Sequence, residues 1–319
     1  MFVPKIVLVT MFEPTGDKPG ELALFRGRLD LQEIELAECA PLKTYANAER
    51  GILAVVAGVG TANTAVSIMA LGMSDALDLS NSLWMICGIA GGNPQVCSLG
   101  SVAISEWCVD GDLAFEIDAR EIPVEWETGI LPLGAQQPYG PSSLDEGLFG
   151  RPYQVFHLNG NLVTSVYDAV SKIELQDSAE MQAYRVQYTE YPTAQQSPRV
   201  LRGDTLSAAR FWHGERSNDW AAKWVAYWTE DAACFATASM EDSGTLHAIE
   251  YLHSVGRADF QKVILLRGVS NFTLPPRGIS AINNLVHEAD GDAYYPGYFP
   301  ALENTNRVAM QIIAEWVEQ

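Results

Sequence analysis

Two short polar clusters carry most of the chemistry that the side chains of this chain can offer. Glu241-Asp242-Ser243-Gly244 follows the apolar run 234–240, and Ser270-Asn271 follows the apolar run 262–269. A helical pattern lies between them, so the segment reads strand, helix, strand, with polar residues at the C-terminal end of both strands. In an open α/β sheet, ligands bind in the crevice outside those ends. Glu241 and Asn271 are therefore expected to come from different strands and to face one cleft. The competing reading is that Glu241-Asp242-Ser243 is capping chemistry only, with Asp242 or Ser243 as the N-cap. Ser270-Asn271 argues against it, because the same arrangement recurs where Pro275-Pro276 prevents an immediate helix.

The elements that must hold these residues can be read along the chain. Residues 6–11 (IVLVTM) form a continuous apolar run of the kind found in buried parallel strands. A turn-rich loop, 12–17, follows it and places Glu13 just beyond the strand, where a solvated loop glutamate is the plain alternative. Residues 22–28 suit a short helix, and 51–57 (GILAVVA) a second strand. Gly58-Val59-Gly60 then turns into a helical pattern reaching about 79. Residues 83–87 form another strand, closed by a glycine-rich loop, 88–93, whose backbone would press on a ligand or a neighbouring strand. A longer strand is expected over 99–109, helix from 162 to about 185, and a strand at Val200-Leu201 with the polar tip Arg202-Gly203-Asp204-Thr205. Trp220, Trp224 and Trp228 recur at helical spacing and read as core or subunit interface. The final helix spans about 301–317. Short buried strands alternating with helices predict a single α/β domain over 1–319, layered α/β/α around a mostly parallel mixed sheet. A Pro- and Gly-rich excursion at about 122–159 interrupts it, of the kind that often forms a lid or an oligomer contact.

Composition narrows the partners. With 319 residues, 48% of them hydrophobic, the chain can bury a large core. A net charge of −20 argues against nucleic acid and anionic membranes. No run of about 20 apolar residues would span a bilayer as a helix. The five cysteines are not arranged as metal ligands, so no metal or other cofactor is expected; Cys97 and Cys108 would pair only if two strands brought them together. Cysteine usage leaves the compartment open: periplasmic or secreted if a leader was removed, cytoplasmic otherwise.

Taken together, the strand ends GVGTANTA (58–65), CGIAGG (87–92), RGD (202–204), SMED (239–242) and LRGVSN (266–271) resemble, in order and spacing, the nucleoside phosphorylase/hydrolase superfamily. VTMFEP, WMICGIAGGNP, FWHG, MEDSGT and SNFTLPPRG are similar to the purine nucleoside permease group within it, over nearly the whole chain. The resemblance implies a nucleoside phosphorylase-like fold, a purine nucleoside or nucleobase as ligand, and a homo-oligomer. It implies Met240 and Glu241 as the ribose-binding pair, with Gly91 in the loop against the sugar. Asn271, beside Ser270, falls at the base-contacting position, where relatives favouring 6-oxopurines also carry Asn. Asp204 matches the aspartate of a base-pocket strand. An aromatic expected soon after it is replaced by Leu206, so base stacking passes to Phe211, Trp212 or the excursion, with His213 nearby.

The nucleophile is where the chain departs from phosphorolytic relatives. Ile86 stands where many of them carry an arginine two residues before the first glycine of the GxxGG loop. Hydrolytic relatives instead use a glutamate after the first strand, a place that Glu13 occupies. The resemblance therefore implies cleavage of the N-glycosidic bond, by water in preference to phosphate. Arg26, Arg28 or Arg267 could still hold phosphate by another route. The permease name implies the alternative, a nucleoside-binding protein that serves uptake without turnover.

Overall fold

In a computed structural model of the protein, residues 1–13, 18–142, 153–287 and 295–317 are described. The chain opens with β1 (Ile6–Thr10), α1 (Ala23–Leu29), β2 (Gln32–Ile34), β3 (Lys43–Asn47), β4 (Ile52–Val56) and α2 (Thr61–Gly72). The long β5 (Leu83–Gly92) follows, then β6 (Val102–Ser105), β7 (Trp107–Asp110), the short pair β8 (Phe115–Glu116) and β9 (Ile130–Leu131), and β10 (Val155–His157). The second half comprises α3 (Gly160–Val170), α4 (Ala179–Arg185), β11 (Val200–Arg202), β12 (Asp204–Ser207), α5 (Glu215–Thr229), β13 (Phe235–Ser239), α6 (Asp242–Ser254), β14 (Val263–Phe272) and α7 (Tyr298–Val317).

Apart from the β8–β9 pair, the strands belong to one mixed, mostly parallel sheet. At its centre β5 runs parallel to β1 on one side and to β14 on the other, and its last residues pair antiparallel with β13. β1 and the first half of β14 are buried on both faces, as their unbroken apolar runs require. Successive residues of a strand point to opposite faces. Arg267 of β14 accordingly reaches Asp242 of α6, while its neighbour Gly268 lies against Ala301 and Thr305 of α7. Helices therefore cover both faces, with α2 against α6 on one and α7 on the other.

Close helix approach fixes the site. A Cβ on Gly244 would stand 2.0 Å from the Thr61 carbonyl oxygen, so only glycine lets the start of α6 meet the start of α2. Gly60, at φ 91°, makes the turn that brings α2 to this point.

Several element boundaries differ from the sequence expectation. The glycine-rich segment 88–92 is not a loop but the end of β5, because Gly91 and Gly92 pair with Ala238 and Thr237 of β13. The expected strand 99–109 breaks at Glu106, where the backbone N–H groups of Glu106 and Trp107 both turn to the Asp204 carboxylate. The helix expected over 162–185 is divided into α3 and α4, the second started by Ser178, whose hydroxyl accepts from Met181 N–H. Ser270 and Asn271 lie within the end of β14 and not beyond it. The tryptophan stripe of α5 is core, with Trp224 fully buried and donating to the Asp110 carbonyl at 2.8 Å. Cys97 and Cys108 are both free and buried. Residues 143–152 of the Pro- and Gly-rich excursion lie outside the described residues. The described part packs on α5, where Tyr227 donates to the Gly140 carbonyl at 2.9 Å and Lys223 pairs with Glu127. None of its described residues lines the cleft considered next.

Candidate active site

The C-terminal ends of β1, β5, β13 and β14 surround a cleft of about 360 Å³, within the range of small-molecule sites. β13 ends one residue before Met240, and Glu241 sits at the turn into α6. Glu241 makes no side-chain cap bond to its helix. Its carboxylate accepts instead from Met240 N–H at 3.2 Å and Gly60 N–H at 3.5 Å, and takes an ion pair from Arg267 at 3.3 Å. The capping reading thus fails for Glu241, and its carboxylate is one wall of the cleft. Ser270 and Asn271 form the opposite wall with Gly91. The Ser270 hydroxyl lies 2.9 Å from Asn271 Oδ1, and Asn271 Nδ2 donates to the Phe272 carbonyl at 3.2 Å. The amide is oriented by these contacts, and a second N–H of its nitrogen is left for a ligand. A Cβ on Gly91 would lie 3.4 Å from that nitrogen.

A second carboxylate of the cleft is Glu21, which the sequence reading did not select. A Glu21 N–H bond to the Phe12 carbonyl at 3.1 Å holds Glu21 beside the end of β1. Its two carboxylate oxygens accept from Met11 N–H at 2.7 Å and Ile89 N–H at 2.8 Å. Burial pushes the carboxyl up to about 7; Arg267 opposes this and Glu241 adds to it. Burial likewise raises Glu241 against the pull of Arg267. In sequence Glu21 looks like an ordinary acidic residue ahead of a helix, and only the Pro-Gly turn before it hinted at a reversal.

Other expected site residues fall elsewhere. Glu13 is not in this cleft. Its carboxylate accepts from Leu22 N–H at 2.6 Å and borders the neighbouring groove beside Pro41, Lys43 and Asn63. Asp204 does not line this cleft either. It opens β12 and does not end it, and its carboxylate accepts from Glu106, Trp107 and Cys234 N–H at 2.8–3.0 Å. Those three bonds tie the start of β12 to the segments that open β7 and β13. His213 stands back from the cleft, with Nε2 2.9 Å from Asn284 Oδ1, and burial lowers its pKa. Phe211 lines the cleft and is half exposed; Trp212 lines a small recess behind Asn271 and Gly91. Tyr295 and Tyr298 close the other end near Phe12 and Val59.

The cations once considered for phosphate are occupied. Arg28 is engaged by Glu303 and Asn306, and Arg26 lies over the Tyr45 ring at 4.7 Å. Arg267 is fully buried; it donates to Asp242, Glu241 and the Ile89 carbonyl. Burial disfavours its charge, but Asp242 and Glu241 more than compensate and raise its pKa. No lysine, arginine or histidine is among the described residues lining the cleft.

Among solved structures, the 5′-methylthioadenosine/S-adenosylhomocysteine nucleosidase of Neisseria meningitidis aligns with 99% of this chain and 100% of its own, at a TM-score of 0.56 and 16% identity. The futalosine hydrolase of Helicobacter pylori aligns with 98% of each chain, at a TM-score of 0.53 and 11% identity. These likenesses establish the nucleoside phosphorylase-like α/β fold. Among relatives by sequence, a probable purine nucleoside permease of Schizosaccharomyces pombe is 28% identical over 90% of this chain and 83% of its own length. The purine nucleoside permease of Candida albicans is 27% identical over 84% of this chain, which spans 64% of that protein. No helix among the described residues is long and apolar enough to cross a membrane. The family model for purine nucleoside permeases matches residues 3–319, and the chain belongs to that family.

Proposed function

We propose that the protein binds purine nucleosides in this cleft and hydrolyses their N-glycosidic bond. The observation that supports this most is the placement of two buried carboxylates, Glu21 and Glu241, in one cleft with Asn271 and with no cation among the described residues of its lining. Glu241 accepts from the ribose hydroxyls, and Met240 packs beneath the sugar. Phe211 stacks on the base, and Ser270 keeps the Asn271 amide turned so that its N–H meets the base. A carboxyl lifted to about 7 is suited to take a proton near neutrality. Glu21 accepts the proton of a water whose oxygen bonds to C1′ as the C1′–N bond breaks. The electron pair leaves with the base, which Asn271 stabilises by hydrogen bonding and solvent then protonates. The sugar passes through an oxocarbenium-like state, as in other glycoside hydrolyses. Among the described lining residues phosphate would meet two carboxylates and no guanidinium or ammonium group, which favours water.

The names of the related permeases favour a second reading: nucleoside capture for uptake, without turnover. One experiment separates the two. The protein is incubated with inosine, guanosine and adenosine, with and without phosphate, and free base and sugar are followed by chromatography. Base and free ribose released without any phosphate requirement are expected. Ribose 1-phosphate formed only with phosphate would refute hydrolysis, and intact nucleoside bound with measurable affinity would establish capture.

A further inference from the structure

The two cleft carboxylates belong to a compact charged cluster, whose other members, Asp242 and Arg267, take no direct part in the proposed hydrolysis. Glu21, Glu241, Asp242 and Arg267 come from four different places: the loop before α1, the turn into α6, the first turn of α6, and β14. Each is at most 6% exposed. Asp242 takes no part in the cleft lining. Its Oδ1 accepts from both Nε and Nη2 of Arg267, and its Oδ2 accepts from Arg267 Nε at 3.2 Å and from the Ser239 hydroxyl at 2.6 Å. A guanidinium held along its Nε–Nη2 edge by a carboxylate and tied at Nη1 to a carbonyl cannot turn. So held, Arg267 places Nη2 3.3 Å from Glu241 and gives Nη1 to the Ile89 carbonyl at 3.0 Å, which leaves Glu21 4.0 Å away. Gly88 makes the slot: a Cβ there would meet Arg267 Nη1 at 2.2 Å and Glu21 Oε1 at 2.6 Å.

We propose that Asp242 is a positioning residue: by fixing Arg267 it directs the guanidinium to Glu241 in preference to Glu21 and so makes the two cleft carboxylates unequal. Glu241 receives the charge-assisted hydrogen bond and is the carboxylate kept for sugar hydroxyls. Among the described residues, Glu21 takes its hydrogen bonds from two neutral backbone N–H groups, with Arg267 4.0 Å away, and is the one free to exchange a proton. Burial raises both carboxyls, Glu21 to about 7, so the inequality is set by where the guanidinium points. Among the described residues, the other ionisable groups beside the cluster include Cys87 of β5 and Cys108 of β7, whose thiols burial pushes up, and Tyr295 and Tyr298 on the cleft lining. Glu13 lies beyond, across the Glu13–Leu22 bond. Arg267 is the cation common to Glu21 and Glu241, so freeing it changes both.

The consequence for chemistry rests on the proposed nucleoside site, but the inequality can be measured without ligand. The glutamate carboxyl carbons are labelled with ¹³C and followed by NMR through a pH titration; spectra of Glu21→Gln and Glu241→Gln assign the two signals. In the unsubstituted protein the Glu21 midpoint is expected above that of Glu241, and coincident midpoints would overturn the proposal without any further variant. In Asp242→Asn the guanidinium loses its anchor and serves the remaining two carboxylates. The Glu21 midpoint should then fall by about one pH unit, the usual effect of an opposite charge drawn closer. An unchanged midpoint in folded Asp242→Asn would equally overturn it. If nucleosides neither bind nor turn over, the site assignment fails while the titration still decides the role of Asp242.

Discussion

Replacing Glu21 by glutamine tests the central feature of the site without reference to any substrate. Burial lifts this carboxyl from 4.5 to about 7 in the folded protein. A group raised on folding contributes stability that is fully present below its unfolded pKa and is lost as pH rises through its folded pKa. Between 4.5 and about 7 the unfolded chain has released this proton and the folded one has kept it. At 1.36 kcal/mol per unit, the fold thereby loses about 3 kcal/mol relative to a side chain that does not titrate. Glutamine does not titrate, but it brings one carbonyl oxygen to two N–H groups, Met11 and Ile89. Leaving one of them facing an NH2 group costs about 1–3 kcal/mol at every pH. The variant should therefore be the less stable protein at about pH 5 and draw level with or pass the parent at about pH 8. Urea denaturation of both proteins across this range measures the difference directly, since all other titrating groups are shared. A constant offset between the two stability curves would show that Glu21 is not held protonated on folding, and the proton-acceptor role built on it would go with that result.

Two further substitutions separate site from scaffold. Glu13→Gln should leave nucleoside affinity and any turnover within about twofold and cost about 1 kcal/mol of stability, because its one recorded bond is to Leu22 N–H; a loss of turnover matching that of Glu21→Gln, followed by base release, would return Glu13 to the reaction. Asp204→Asn should lower stability by about 1–3 kcal/mol, since its three backbone N–H partners lose a charged acceptor, and should leave the ranking of inosine, guanosine and adenosine unchanged. A reordered base preference without loss of stability would place Asp204 at the base after all.

What the sequence determined by itself was local. The unbroken apolar runs at 6–11, 51–57 and 262–269 had to be buried strands, because nothing else hides both faces of so short a segment. Glu241 and Asn271 stand at strand ends, and in an α/β sheet those ends converge, so their meeting in one cleft was legible before any coordinates. Where the reading failed, the cause was long-range pairing. The glycines 88–92 are strand because β13 arrives from far along the chain to pair with them. Asp204 looked like the polar tip of a strand, yet it starts the next one and is claimed by three backbone N–H groups that sequence spacing cannot place. The choice between Glu13 and Glu21 was also tertiary: both follow β1, but one carboxylate accepts from Leu22 N–H, while a Glu21 N–H bond to the Phe12 carbonyl holds the other at the cleft. So too was the fate of Arg267, which in sequence is a free cation for phosphate. Only the packing of α6 on the sheet sets Asp242 against it and turns it inward, since a charge buried at 0% exposure persists only where opposite charge is already waiting.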